Sequence, residues 1–265
     1  MAISEYLNPD WLPILRHNRA ESFEQLWQLN QGDWFEPPNH RRGGWSGVMR
    51  HSMALPDGGE VGLFVKFQEN HVYRSWSNLF RPAATFEREF RNLQHCRSLG
   101  IPTLEPVYFG QRMVDGKMRA ILITRELAGY QPFDAEDYKP IAKLERARRT
   151  RLFHAVAAAL RCMHAQHMQY NCLYLKHVFV KESADGSVDV RLIDLEKAKW
   201  RPLKRLIAIR DLYSLHRRAE GWSRSDRLRL FLAYRQEKRL GAESRKILQA
   251  ILRRMKLKNR DLGPA

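Results

Sequence analysis

Three kinds of side chain stand out for the chemistry they could do: a carboxylate at the exit of a strand, a lysine inside an apolar run, and a thiol near a histidine. Asp194 ends the apolar-rich segment Val190-Arg191-Leu192-Ile193 and opens the turn Leu195-Glu196-Lys197. A second compact strand, His177-Val178-Phe179-Val180, lies upstream across a short link. Read alone, this motif also fits an ordinary loop start, because Asp bonds nearby backbone amides in turns. Lys66 lies in an apolar strand between Phe64 and Phe67, so it either points into a cleft or snorkels to water. Glu87 and Glu89 project from different faces of the helix that follows, and either would also suit a solvated helix surface. Gly43, Gly44 and Gly47 could let backbone amides approach phosphate groups, although a turn between strands needs glycine in any case. Cys172 offers a neutral, weakly hydrogen-bonding thiol.

These groups need a frame, and the pattern of apolar and turn residues predicts one. A helix is expected over 22–29 and a break at Glu36-Pro37-Pro38. The glycine-rich turn Arg41-Arg42-Gly43-Gly44-Trp45-Ser46-Gly47 then enters a strand over 48–55, and Pro56-Asp57-Gly58-Gly59 turns it into a strand over 61–68. Helical spacing of Phe86, Phe90, Leu93 and Leu99 predicts a helix over 85–99, capped by Gly100 and stopped by Ile101-Pro102. Strands over 106–111 and 119–126 flank Asp115-Gly116. Beyond Gly129 the pattern turns helical. A long helix over 141–167 carries the stripe Leu152, Val156, Leu160 and Met163, the strand pair 177–180 and 188–193 interrupts, and helices over 203–219, 223–237 and 242–257 follow.

Composition bounds the function classes. At 265 residues, with 44% hydrophobic side chains and seven Trp, the chain can bury a sizeable core. Three scattered cysteines exclude a disulfide framework or a cysteine-rich zinc site and suit a reducing cytoplasm. Residues 1–18 lack the basic start and apolar run of a signal peptide, and no window approaches a membrane span. The net charge of +17 calls for a polyanionic partner: nucleic acid, an anionic membrane surface or a phosphorylated glycolipid. Lys197, Lys199, Arg201, Lys204, Arg205, Arg210, Arg217 and Arg218 concentrate that charge, and Arg253, Arg254, Lys256, Lys258 and Arg260 add to it in the last helix. A solvated surface accounts for any one of them. The apolar stripe Ile247, Leu248, Ile251, Leu252 and Met255 of that helix suits packing first and membrane insertion second.

Several segments in order resemble a known family. Val65-Lys66, Phe86-Glu87-Arg88-Glu89-Phe90 with Leu99-Gly100-Ile101-Pro102-Thr103, the strand ending Glu126-Leu127, Tyr170-Asn171-Cys172-Leu173-Tyr174-Leu175-Lys176-His177, Leu192-Ile193-Asp194-Leu195-Glu196 and Arg210-Asp211-Leu212-Tyr213 are similar to the corresponding segments of the lipopolysaccharide core kinases. That group comprises WaaP, Kdo kinases and InaA-like proteins, a branch of the protein-kinase-like fold, and the resemblance covers about residues 41–235. It implies an α+β, two-lobed protein-kinase-like fold. Residues 1–128 would form a small antiparallel β lobe with one helix and an N-terminal extension, and residues 129–265 a mostly helical large lobe.

The resemblance also implies roles. Lys66, paired with Glu89, would contact the phosphates of ATP under the glycine turn of Gly43, Gly44 and Gly47. Glu126 would lie where the adenine hinge begins. Asp194 would hold Mg2+, and Asp211 would brace the catalytic loop. His177 falls where a protein kinase places the Asn for a second metal. Since magnesium prefers oxygen, a hydrogen bond from His177 to phosphate or to Asp194 fits better, or a core histidine satisfied by backbone. The family pattern puts a general-base Asp where Cys172 stands, beside Lys176. Losing such a base costs roughly 10² to 10⁴ in rate, which is severe without being abolition. The implied activity is therefore phosphorylation of a heptose or Kdo hydroxyl of lipopolysaccharide core by a cytoplasmic protein peripheral to the inner membrane, with anionic glycolipid and anionic membrane as partners. The alternative is an InaA-like pseudokinase that binds nucleotide or lipid. A nucleic-acid partner lacks any supporting motif.

Overall fold

Alternating burial along residues 60–69 organises the first of two units in this computed structural model, which describes residues 4–41, 43–73 and 83–261. The units comprise Met1–His95 with Leu104–Ala128, and Cys96–Thr103 with Gly129–Ala265. Arg42 of the glycine turn and the side chains of Lys258 and Arg260 lie outside the described residues.

In chain order the first unit holds β1 (Glu5–Leu7), α1 (Leu12–His17), α2 (Phe23–Gln28), β2 (Glu36–Arg41), β3 (Gly44–Ala54), β4 (Glu60–Glu69), β5 (Val72–Tyr73), β6 (Ala83–Ala84), α3 (Thr85–Ser98), β7 (Pro106–Val114) and β8 (Lys117–Arg125). Six strands form one antiparallel sheet in the order β1-β7-β8-β4-β3-β2. Successive strand residues face opposite sides. Leu63, Val65 and Phe67 therefore turn one way, into a core with Leu15 of α1 and Phe23 and Leu26 of α2. Lys66 and Gln68 turn the other way, toward α3. Phe109 of β7 stacks on Phe90 of α3 with centroids 4.8 Å apart.

The segment before residue 40 thus supplies Trp11, Leu15, Ala20, Phe23 and Leu26 to this unit's core. Ser22 caps α2 in a capping box with Gln25. The break expected at Glu36-Pro37-Pro38 is instead the start of edge strand β2, with a register shift between Glu36 and Asn39. Proline lacks an N–H, so a sheet edge with a bulge is where a strand can hold it.

The second unit contains β9 (Gln131–Pro132), α4 (Arg146–Ala165), β10 (Met168–Gln169), β11 (Val178–Glu182), β12 (Val188–Leu192), β13 (Lys199–Trp200), α5 (Lys204–Arg218), α6 (Arg224–Arg235) and α7 (Ala242–Asp261). α4 starts later than expected. Residues 141–143 form a separate 3-10 turn, and Glu145 caps the helix by accepting from the amides of Ala147 and Arg148. The stripe Leu152, Val156, Leu160 and Met163 is buried, and α4 packs on α6 as α5 packs on α7. In α7, Ile247 and Ile251 are buried while Leu252 is exposed, so most of its apolar stripe serves packing. Strands β12-β11-β9 form a small sheet, and β10 pairs with β13. Among the described residues no helix is long and apolar enough to cross a membrane.

Candidate functional site

In the first unit, Lys66 Nζ donates to Glu89 Oε1 at 2.6 Å. The lysine side chain is 19% exposed and the carboxylate 3%. The solvated-surface alternative fails for both glutamates of α3. Glu87 is buried too, bonded by Arg91 and by Gln111 Nε2 at 2.8 Å. Gln68 was missed by sequence reasoning and fixes this geometry. Two residues beyond Lys66 on the same strand face, its Oε1 accepts from the Phe86 amide at 3.0 Å and the Thr85 hydroxyl at 2.9 Å, so it caps α3 from across the unit. The helix carrying Glu89 is thereby locked to the strand carrying Lys66.

A buried ion pair is weak evidence for stability, because desolvation offsets its attraction, yet removing one partner is costly. Lys66→Met should therefore destabilise the chain by about 3 kcal/mol in urea unfolding. Lys66→Met combined with Glu89→Met should recover most of that loss. A double variant as unstable as the single one would refute the pairing energetics.

The glycine turn is shaped by the chain's own packing. Gly43 has φ +77°. A Cβ on Gly44 would come within 2.4 Å of the Glu69 carbonyl oxygen, and one on Gly47 within 2.6 Å of the Trp34 ring. Glu126 follows β8, and its amide donates to the Gly62 carbonyl at 2.9 Å. Its carboxylate takes both Arg50 Nε and Nη2, at 2.8 and 3.0 Å.

In the second unit, the segment from Tyr170 to His177 is pinned from three sides. Asp211, buried in α5, accepts from the amides of Tyr170 and Asn171 at 2.7 and 2.9 Å. Asn171 adopts φ +66°, a left-handed conformation that Asn tolerates, and its side chain donates to the Lys197 carbonyl at 2.7 Å. The fully buried Tyr170 hydroxyl donates to the Ile193 carbonyl, next to Asp194. Behind Asp211 stands His164, another residue with no obvious sequence signal. Its Nε2 lies 3.3 Å from Asp211 Oδ2 and its Nδ1 2.8 Å from the Tyr234 hydroxyl. Burial pushes the Tyr234 phenol up to about 12, so it stays neutral.

The buried Cys172 contributes its carbonyl rather than its thiol to this network, accepting from His177 Nδ1 at 3.0 Å. A carbonyl can only accept, so the proton lies on Nδ1. The other ring nitrogen, Nε2, faces Asp194 Oδ2 at 3.5 Å. Backbone thus satisfies one nitrogen of His177, and the other lies near Asp194. Asp194 itself has φ +55°, which turns the carboxylate out of β12. Among the described residues no cluster of three or more His, Cys, Asp or Glu could hold a metal ion unaided. An oxygen-preferring ion such as Mg2+ fits Asp194 only if phosphate oxygens and water complete its shell. Lys176 is exposed on the 3-10 turn Leu175–His177. Tyr174 meets the His177 ring, centroids 5.3 Å apart, and carries the Arg218 guanidinium 3.9 Å above its own centroid. Arg218 thus places a cation beside the Tyr170–His177 segment that local sequence could not reveal.

Comparison with known proteins gives concordant findings. The sequence model of the Lipopolysaccharide kinase (Kdo/WaaP) family matches residues 24–234. Protein InaA of Escherichia coli (strain K12) is 31% identical over 178 residues, which cover 66% of this chain and 78% of that protein. The solved structure of WaaP in complex with acyl carrier protein aligns with a TM-score of 0.65 at 21% identity, covering 99% of this chain and 100% of that one. The fold is therefore protein-kinase-like.

Proposed function

Because the chain belongs to the lipopolysaccharide kinase (Kdo/WaaP) family, we propose that it transfers phosphate from ATP to a heptose or Kdo hydroxyl of lipopolysaccharide core, at the cytoplasmic face of the inner membrane. The buried Lys66–Glu89 pair carries this reading. A fold gains little stability from such a pair, so its presence points to a cation kept in place for phosphate. Lys66 neutralises nucleotide phosphates, and Glu89 sets the direction of its ammonium. Asp194 holds Mg2+, which when bound supplies charge stabilisation to the transferring phosphoryl group. His177, with Nδ1 committed to the Cys172 carbonyl, keeps Nε2 beside Asp194. Asp211 keeps the backbone of Tyr170 and Asn171 in register with it. Adenine recognition at Glu126 falls to its carbonyl, since Arg50 occupies its carboxylate and Gly62 its amide. The glycine turn would add contacts to the nucleotide phosphates, and Lys176 would serve the transfer as a further cation. The net charge of +17 suits an anionic glycolipid, each cation near such a surface adding about 1 kcal/mol of attraction. WaaP is solved in complex with acyl carrier protein, and a protein partner of this chain would be attracted by the same charge if it were acidic.

A second reading, a pseudokinase that binds nucleotide without efficient transfer, is favoured by Cys172, whose thiol replaces the general base. The two part in one experiment: labelled phosphate transfer from MgATP to dephosphorylated core glycolipid, beside thermal shift with MgATP. Transfer supports the kinase, and a shift without transfer supports the pseudokinase. Neither signal would remove both. If only the base is missing, Cys172→Asp should raise the transfer rate by roughly 10²-fold or more. An unchanged rate in a folded Cys172→Asp variant would refute that role for the position.

A further inference from the structure

The residues that follow Asp194 form a rigid, exposed ledge whose chemistry is that of a membrane interface. Trp200 and Leu203 are each 59% exposed and Leu206 is 42% exposed, an unusual concentration of large apolar surface on one short segment. Lys199, Arg201, Lys204 and Arg205 alternate with them. The ledge is held to shape by the backbone. Met168 and Gln169 of β10 pair with Trp200 and Lys199 of β13. The Arg201 amide donates to the His167 carbonyl at 2.8 Å, and His167 Nδ1 returns a bond to the Arg201 carbonyl at 3.0 Å. The Trp200 ring lies against the His167 ring, centroids 5.8 Å apart and nearly parallel.

Beside the ledge, a cleft of about 420 Å³ opens between α4, α5, α6 and α7. Lys204 and Arg205 line its α5 side, and Arg161 and Arg235 line the opposite walls, with Glu243 as the acidic member. Arg161 and Arg235 are fixed by the Ala233 carbonyl and Ser244 hydroxyl, at 2.6 and 2.8 Å, and Arg205 lies 3.4 Å from Glu243. α5 begins in this wall without a side-chain cap at Leu203, so its first-turn amides add to the positive field.

We propose that this ledge and cleft dock the chain on an anionic phospholipid bilayer. Trp200, Leu203 and Leu206 enter the interfacial layer, and the cleft takes a headgroup phosphate. Tryptophan and leucine beside lysine and arginine are the combination that binds such interfaces, where ring and chains meet lipid and cations meet phosphate. The arrangement also has a consequence for chemistry. β10 leads directly into Tyr170, Asn171 and Cys172, so a ledge lying on the bilayer brings the catalytic segment to a substrate embedded there. The proposal rests on the kinase reading only in taking that substrate to be at a membrane.

The test is co-sedimentation of the full chain, without nucleotide, with vesicles of phosphatidylcholine alone or with phosphatidylglycerol. Vesicles with phosphatidylglycerol should bind at least about tenfold more tightly. Trp200→Ser, Leu203→Ser and Leu206→Ser together should weaken binding about tenfold or more, and so should Lys204→Ser with Arg205→Ser. Lys143→Ser with Arg146→Ser, just before and at the far end of α4, should change it less than about threefold. Thermal unfolding confirms that each variant is folded. The proposal is overturned if the apolar variant binds as wild type, or if the distant charges matter as much as the cleft. It is also overturned if no vesicle binds and the ledge instead mediates self-association or capture of an acidic polypeptide such as polyglutamate. Vesicle binding without phosphate transfer would leave this proposal standing and remove the kinase; transfer to a soluble core acceptor without vesicle binding would do the reverse.

Discussion

Asp194→Asn is expected to remove Mg2+-dependent phosphate transfer by about 10³-fold or more while leaving the fold intact. Metal stabilisation of transferring charge amounts to several kcal/mol, and each 1.36 kcal/mol corresponds to about tenfold in rate. Asparagine keeps the shape of the side chain and tolerates the left-handed backbone that residue 194 requires, with φ +55°. The aspartate side chain is 41% exposed, so its charge contributes little to the core. Loss of function would therefore trace to the carboxylate. The thermal shift given by MgATP should vanish along with transfer, and unfolding in the absence of nucleotide should be nearly unchanged. Retention of full Mg2+-dependent transfer in the Asn variant would leave the metal without a holder and end the kinase reading.

How far these sites could be seen in the sequence depended on whether their partners were local. Lys66 announced itself as a charge in an apolar strand, and its partner on α3 lay within a short, periodic helix. Residue-by-residue alternation along β4 fixed which way Lys66 pointed, and Glu89, not a solvated face, met the ammonium. What stayed hidden was the support from a distance. Gln68 looks like any polar strand residue until its amide oxygen is found capping α3. Nothing local marks Trp11, Leu15, Phe23 and Leu26 as the floor of the sheet, because that role is set by strands far along the chain. The edge strand β2 was masked by Pro37 and Pro38, which local rules treat as breakers although an unpaired edge accommodates them. The start of α4 was misjudged because apolar periodicity at 141–143 continued through a 3-10 turn, whereas the true signal was the cap at Glu145. Cys172 drew attention for its thiol and not as a carbonyl acceptor for His177, since backbone roles leave no trace in residue type.

Asp211→Ala tests the other half of the site, where the expected effect is on stability as well as rate. Asp211 is buried with both carboxylate oxygens committed to consecutive amides, at 2.7 and 2.9 Å, and with His164 Nε2 at 3.3 Å. Truncation to alanine leaves one buried and one part-buried amide without an acceptor, at up to about 1–3 kcal/mol each. It also strips a charged member from a buried network, so a total loss of roughly 3–5 kcal/mol is expected. Asp211→Asn should fall between, because its oxygen can still accept from one amide while its NH2 group faces the other donor. Tyr234→Phe, which removes only the hydroxyl at His164 Nδ1, should cost about 1 kcal/mol. Urea unfolding monitored in the helical unit ranks the three, and hydrogen exchange localises the effect to the amides of Tyr170 and Asn171. If Asp211→Ala unfolded at the wild-type midpoint with those amides still protected, the segment carrying Cys172 and His177 would owe its shape to other contacts. The ranking matters for catalysis too: a loop loosened at Tyr170 also loosens the Ile193 carbonyl to which that residue's hydroxyl is bonded, and with it the carboxylate of the next residue.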